Sequence, residues 1–235
     1  MSGGTGMGAS FDPDRIARLR TGLANSDTAT RGSSALKLLW QRAIAIILAF
    51  TAALYGIEAV DSVTGHELDY AGGVIPRKEY GLDGILFGPV LHANWEHLIG
   101  NTLPVLVLGL LTLLTGIGRG LAATAIIWVI GESGTWLIGQ PNSVHVGASV
   151  LVFGWLTYLL SRGLFTRNVA QLAIGLVVGL LYGSILWGVL PGQPGISWQG
   201  HLFGAVGGLI AGWVLSGDAR RHRREANADR LASSG

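Results

Sequence analysis

Residues 168–217 contain no Asp, Glu, Lys or Arg. A stretch so free of charge has no solvated face to offer water, so it belongs in lipid or in a packed apolar interior. As one helix it would be far too long for a hydrocarbon layer of ~30 Å. Pro191-Gly192-Gln193-Pro194-Gly195 breaks it into two. The rest of the chain points the same way. Of 235 residues, 49% are hydrophobic and only 13% charged, where a soluble domain carries about 25% charge. Mean hydropathy is +0.48. The 37 glycines follow no collagen-like period. These figures exclude a disordered chain, a coiled coil and an ordinary water-soluble enzyme. A net charge of +2 is too small to suggest nucleic-acid binding, and with no cysteine there is no disulfide, thiolate metal site or cysteine nucleophile.

Four more apolar runs precede that stretch: about 38–59, 95–116, 121–138 and 143–161, the last two separated by Gly139-Gln140-Pro141-Asn142. Lipid offers no partners for exposed backbone groups, so each reads as a helix. The expectation is an all-α membrane protein with six transmembrane helices. Residues 1–36 form a polar cytosolic tail, 37–217 the six-helix domain with a long extracytoplasmic loop at 61–94, and 218–235 a basic cytosolic tail. Basic residues set the orientation. Fourteen of 16 fall on one side of the six spans, and only Arg77 and Lys78 fall opposite. Both termini are therefore expected in the cytoplasm. The first tail reads as disordered, with a short surface helix around Ile16, Leu19 and Leu23 as the alternative. The last arginines read as a topology anchor, and Trp40, Trp95 and Trp198 as interface-belt residues.

Polar side chains inside spans are costly and are functional candidates by default. Spans two, four and six enter from the outer face. By position along them, His97, Asn101, Ser149 and His201 lie roughly 3–10 Å below the outer interface. Three separate helices thus bring His, Asn, Ser and His to one level. A serine hydroxyl is a weak nucleophile until a base takes its proton, and neutral imidazole is the usual base near pH 7. Ser149 and His201 supply that pair. The attacked carbonyl needs donors as it gains negative charge. His97 and Asn101, spaced i,i+4, point at one spot, and the Ser149 amide adds a third donor. No carboxylate accompanies His201, so a dyad is expected rather than a triad. Gly204, Gly208 and Gly212 share the His201 face, and Gly147 and Gly154 give span four a narrow face of its own. Such small-residue faces let membrane helices approach closely.

These residues resemble the rhomboid family of intramembrane serine proteases. The matching pieces are His92-Ala-Asn-Trp-Glu-His97-Leu-Ile-Gly-Asn101, Gly147-Ala148-Ser149 and His201-Leu-Phe-Gly204-Ala-Val-Gly-Gly208. The resemblance covers about 38–216. It implies a six-helix rhomboid fold that cleaves transmembrane protein substrates near their outer end, with the lipid bilayer as its setting and no metal or cofactor. It implies Ser149 as nucleophile, His201 as general base, and His97, Asn101 and the Ser149 amide as the oxyanion site. Gly147 would lie in the nucleophile's glycine motif, and His92 would have a structural role. Loop 61–94 would be the large first loop that packs against the membrane. The expected location is a bacterial plasma membrane, with the site facing the extracytoplasmic side. Three positions depart from the family pattern. Val150 follows the serine where Gly is common. Phe153, able to stack on the base, stands where Tyr is frequent. The first loop lacks a Trp-Arg pair, carrying Pro76-Arg77 and Gly84-Ile85 instead.

Other readings fit less well. A zinc protease would need His-Glu-x-x-His or its inverse, and His92-x-x-x-Glu96-His97 has one residue too many. A channel would need its polar path to continue through the inner halves of spans two, four and six, which are nearly all apolar. A catalytically inactive rhomboid-like protein that binds membrane segments is the remaining alternative, and the presence of both Ser149 and His201 argues against it. Glu132 reads as a satisfied structural carboxylate, and His145 as lining the cavity mouth.

Overall fold

The computed structural model describes residues 13–193, 195–217, 221 and 225, with side chains from residue 32 onward. Apart from Arg221 and Glu225, the C-terminal basic tail lies outside the described residues, as does the start of the N-terminal tail. The chain divides into two compact units, 1–41 and 42–235. The second contains all the packing and site contacts described below.

Among the described residues the chain is helical, with one isolated β-bridge and no strands. The first helix, α1, runs Pro13–Thr64. It starts well before the expected span at 38, and its apolar part covers Gly32–Thr64. Backbone from Pro13 is thus helical where an irregular tail was expected. Loop 61–94 is mostly structured, with short helices α2 (Glu67–Gly72) and α3 (Gly84–Phe87) and 3₁₀ turns at Glu79–Gly81 and Gly88–Val90.

Helix α4 spans Trp95–Leu114 and begins where the Asn94 side chain accepts the His97 N–H at 2.8 Å. Helix α5 spans Ile117–Ile138 and starts after Gly116, whose φ of 122° turns the chain. Helix α6 spans Ser149–Thr166, so it opens six residues later than the expected 143. Gln140–Ala148 is instead irregular, because Val74 and His145 exchange backbone hydrogen bonds that tie this segment to the first loop. Helix α7 spans Val169–Tyr182 and tightens into a 3₁₀ stretch, Gly183–Val189. Helix α8 spans Trp198–Val214, capped by the Ser197 hydroxyl. Among the described residues, five helical segments are long and apolar enough to cross a membrane, and α8, at 17 residues, is slightly shorter.

Helix α6 sits at the centre, with nearly every residue from Val150 to Gly163 buried. It packs most extensively against α8, which also lies along α5. Glycines allow this contact. A Cβ at Gly204 would overlap the Val150 carbonyl oxygen, one at Gly208 the Gly154 carbonyl and Thr157 Oγ1, and one at Gly212 Ser161 Oγ. On the other side, α1 meets α4 through Ile47 against Gly109 and a 3.0 Å Tyr55–Thr102 hydroxyl contact.

The first loop is held by α5. Trp128 Nε1 donates to the Ile85 carbonyl at 2.9 Å, and Trp136 Nε1 to that of Lys78 at 3.0 Å. The Arg77 guanidinium donates to the carbonyls of Leu137 and Gly139, each at 3.0 Å. The anchoring that the missing Trp-Arg pair left open is therefore supplied by Arg77 and by two tryptophans of α5.

Gly208→Leu is expected to prevent α8 from seating on α6, since overpacking a filled contact costs about 1–3 kcal/mol or more. Thermal unfolding in detergent should show a Tm drop of several degrees or no folded protein. Gly56→Ala, where an added Cβ meets nothing within 4 Å, should leave Tm unchanged or slightly raised.

Candidate active site

Ser149 is the first residue of α6. It reaches that position through a loop whose last turn depends on Gly147. Gly147 has φ 125°, a conformation costly for side-chain-bearing residues. A Cβ there would also come within 2.6 Å of the His97 ring. Gly147 thus lies in this loop, and only Gly154 of the expected glycine pair lies on the helix. The Gly147 N–H donates to the Gly88 carbonyl at 2.9 Å, fixing the turn against the first loop. The amides of the first helical turn have no carbonyl one turn back, so the Ser149 and Val150 N–H groups stand at the positive end of α6.

His201 lies one turn into α8. Its Nε2 is 3.0 Å from Ser149 Oγ, and its Nδ1 is 2.9 Å from the Gly188 carbonyl. A carbonyl can only accept, so Nδ1 carries the proton in that contact. In the neutral ring Nε2 is then the free acceptor, facing the serine hydroxyl. Phe153 stacks on the imidazole, with ring centroids 4.0 Å apart and an 11° interplanar angle. Gly188 is closely fitted: a Cβ on it would lie 2.8 Å from the Phe153 ring and 3.0 Å from His201 Nδ1.

Ser149 and His201 open onto a cavity of about 940 Å³, which His97 and Asn101 also line. Asn101 is buried, and its Nδ2 has no hydrogen-bond partner among the described residues. An amide donor left unbonded is costly unless something fills its position. Gly100 and Pro104 line the same wall. Pro104 has no N–H, so the Gly100 carbonyl loses its helical partner on that side.

The remaining sequence candidates take supporting places. His92 is buried beneath the turn and accepts the Ala148 N–H at 3.3 Å through Nε2. Its ring meets that of His97 edge-on at 5.3 Å. Burial, with His97 beside it, pushes His92 down to about 3, so it is neutral near pH 7. His145 lines the cavity and bridges two hydroxyls, Ser143 Oγ at 2.8 Å and Ser197 Oγ at 2.7 Å. Burial also holds its ring below the ordinary histidine value. Gly204 and Gly208 stand on the α8 face against α6 rather than in the cavity wall. Glu132 is buried in α5 beside Gly88, at a pocket of about 10 Å³ lined also by Thr135, Gly147 and Ser149.

Sequence reasoning missed the Gly188 carbonyl and the serine contacts of His145. A backbone oxygen has no side-chain signature. The one hint was a glycine just before the Pro191–Gly195 break.

Comparison with known proteins agrees on the family. The sequence model described as "Rhomboid domain" matches residues 82–218. An uncharacterized protein of Mycobacterium tuberculosis is 51% identical over 185 residues, covering 75% of this chain and 77% of that protein. The "Rhomboid-type serine protease 2" of Yarrowia lipolytica is 32% identical over 150 residues, 57% of this chain and 46% of its own length. The "Rhomboid-like protease 5" of Toxoplasma gondii is 30% identical over 156 residues, 64% of this chain and 18% of its own.

A pH prediction follows from His92. Its folded value lies below the unfolded one of ~6.5, so the unfolded chain takes up the proton first. The resulting stability is full above about pH 6.5 and falls as pH drops towards 3. Thermal unfolding between pH 7 and 4 should show that fall, with a shallower slope in His92→Gln.

Proposed function

This chain belongs to the rhomboid family of integral membrane proteins, and we propose that it is a serine endopeptidase that cuts single-pass membrane proteins near the outer membrane face. The observation that carries the reading is the 3.0 Å contact between Ser149 Oγ and His201 Nε2, in a ring whose other nitrogen donates to Gly188.

In this reading α1, α4, α5, α6, α7 with its 3₁₀ end, and α8 are six membrane spans, with both termini in the cytoplasm. The setting is a bacterial plasma membrane, and the cavity opens to the extracytoplasmic side. The first loop leaves Tyr80, Leu82, Leu86 and Phe87 exposed, which suits a seat in the membrane interface.

Catalysis begins when His201 Nε2 takes the Ser149 proton and Oγ attacks the substrate carbonyl carbon. The carbonyl oxygen becomes an oxyanion. It is held by Asn101 Nδ2, the His97 ring and the Ser149 amide, with the N-terminus of α6 adding favourable potential. His201 then gives its proton to the leaving amine nitrogen and the C–N bond breaks, leaving an acyl ester on Ser149. Water gives a proton to His201 and attacks the ester carbon. His201 returns that proton to Ser149 Oγ as the new carboxyl terminus departs. The Gly188 carbonyl stabilises the doubly protonated ring, the part a carboxylate plays in a triad. Hydrolysis requires water, and polar catalysts are tolerable at membrane depth only in a water-filled cavity. A substrate helix must unwind locally to present a carbonyl, which favours small or helix-breaking residues at the cut.

Ser149→Ala and His201→Ala should each abolish cleavage of a transmembrane reporter substrate in liposomes while Tm stays within a few degrees. Asn101→Ala should lower kcat about 10²-fold. Full cleavage by the Ser149→Ala protein would overturn the assignment of the nucleophile, and a wild-type protein that binds the reporter without cutting it would favour the membrane-segment binding alternative.

A further inference from the structure

The C-terminal end of α1 carries a second concentration of ionisable groups that the proposed reaction does not use. Asp61 is 1% exposed. Its Oδ1 accepts the Leu68 N–H at 2.8 Å, at the first turn of α2. Among the described residues its Oδ2 has no hydrogen bond, and it lies 3.4 Å from His66 Nδ1. Asp69, 7% exposed, sets Oδ2 3.7 Å from the same nitrogen, and its Oδ1 is also without a hydrogen bond. One turn before Asp61 on the same helix stands Glu58, 1% exposed, with Oε2 likewise unbonded. One ligand atom each from Asp61, His66 and Asp69 lies within 4.8 Å of the others.

We infer that Asp61, His66 and Asp69 form a binding site for a divalent transition-metal ion of the Zn²⁺ class, clamping the end of α1 to α2. Charge argues for a cation. Two carboxylates meet one imidazole, with Glu58 one helical turn away, so with the carboxylates ionised even a protonated ring leaves the group net negative. Buried carboxylate oxygens without hydrogen bonds are expensive, and metal coordination is one of the few ways to satisfy them. The donor set argues for the kind of ion. Imidazole suits Zn²⁺ and its neighbours, whereas Ca²⁺ and Mg²⁺ take six or more oxygens. Ligand atoms about 2.0–2.1 Å from a tetrahedral Zn²⁺ stand about 3.3 Å apart. The 3.4 and 3.7 Å separations are close to that edge. The His66 side chain is 38% exposed, but its Nδ1 is buried against the two carboxylates, so the ring presents that nitrogen to the cluster and its far edge to solvent. The site is structural, since it fixes where the first loop begins and touches no reacting atom.

The test uses the full-length protein in detergent, stripped with EDTA, with Tm followed as Zn²⁺ is added. A single saturating transition is expected, with Tm rising roughly 5–10 °C at a hundredfold excess over Kd. His66→Asn, which tolerates the left-handed backbone at φ 62°, and Asp69→Asn should lose that rise at the same Zn²⁺ concentration. His145→Gln should keep it, which separates this site from the cavity histidines. Titration of the wild-type protein with Co²⁺ gives a second readout that needs no variant to fold, and intense tetrahedral absorption bands are expected. No Tm rise, an equal rise in His66→Asn, a rise with Ca²⁺ or Mg²⁺ but not Zn²⁺, or only the weak spectrum of hydrated cobalt would each overturn the inference.

Discussion

How near α8 can lie to α6 determines everything about the site. Two membrane helices normally keep their axes 8–10 Å apart, and side chains at the contact hold them there. Here Gly204, Gly208 and Gly212 remove those side chains from the α8 face, so the backbone carbonyls of Val150 and Gly154 take up the space. His201 stands one turn before Gly204 on the same face. Close approach therefore carries its ring to Ser149 without a long side chain or a flexible loop to bridge the gap. Lipid gives little driving force for helix association, so this glycine contact is both the packing of the bundle and the positioning of the pair.

The second requirement is an imidazole with a fixed tautomer. Serine–histidine pairs in water-soluble hydrolases use a buried carboxylate for this, which inside a membrane would add an expensive charge. The Gly188 carbonyl fixes the same proton at no such cost, being a neutral acceptor already in the backbone. Phe153 holds the ring face on. A 3₁₀ stretch at the end of α7 places the carbonyl. Tightening this segment from an α-helical to a 3₁₀ pitch thus has a chemical consequence, and Gly188 has no side chain because Phe153 and His201 occupy the position one would take.

The helices were legible from hydropathy because lipid leaves the backbone few alternatives. The pairing of Ser149 with His201 was legible from the order and spacing of three short segments. Where the two differ, the cause is tertiary. Residues 143–148 read as the start of a span because they are apolar, but Val74 pairs with the backbone of His145 and Gly147 turns the chain, so the helix begins at Ser149. The N-terminal extension of α1 carries a mostly polar sequence, in which Ile16, Leu19 and Leu23 marked a short helix only as the alternative to a disordered tail, and the helix from Pro13 runs on without a break into the apolar span. Arg77, read as a basic residue on the less positive side and as part of the Pro76-Arg77 that stands in the loop without a Trp-Arg pair, turns out to hold the first loop to the end of α5. Contacts that end on backbone carbonyls leave no trace in a list of residue types.

The central claim is that Ser149 is an activated nucleophile because His201 faces it. Labelling with a serine-reactive fluorophosphonate probe in detergent reads this directly, without a substrate. The account predicts covalent labelling of the wild-type protein at Ser149, none in Ser149→Ala, and a loss of at least about 10²-fold in labelling rate in His201→Ala. Labelling that persists undiminished in His201→Ala, or that lands on another serine, would contradict it.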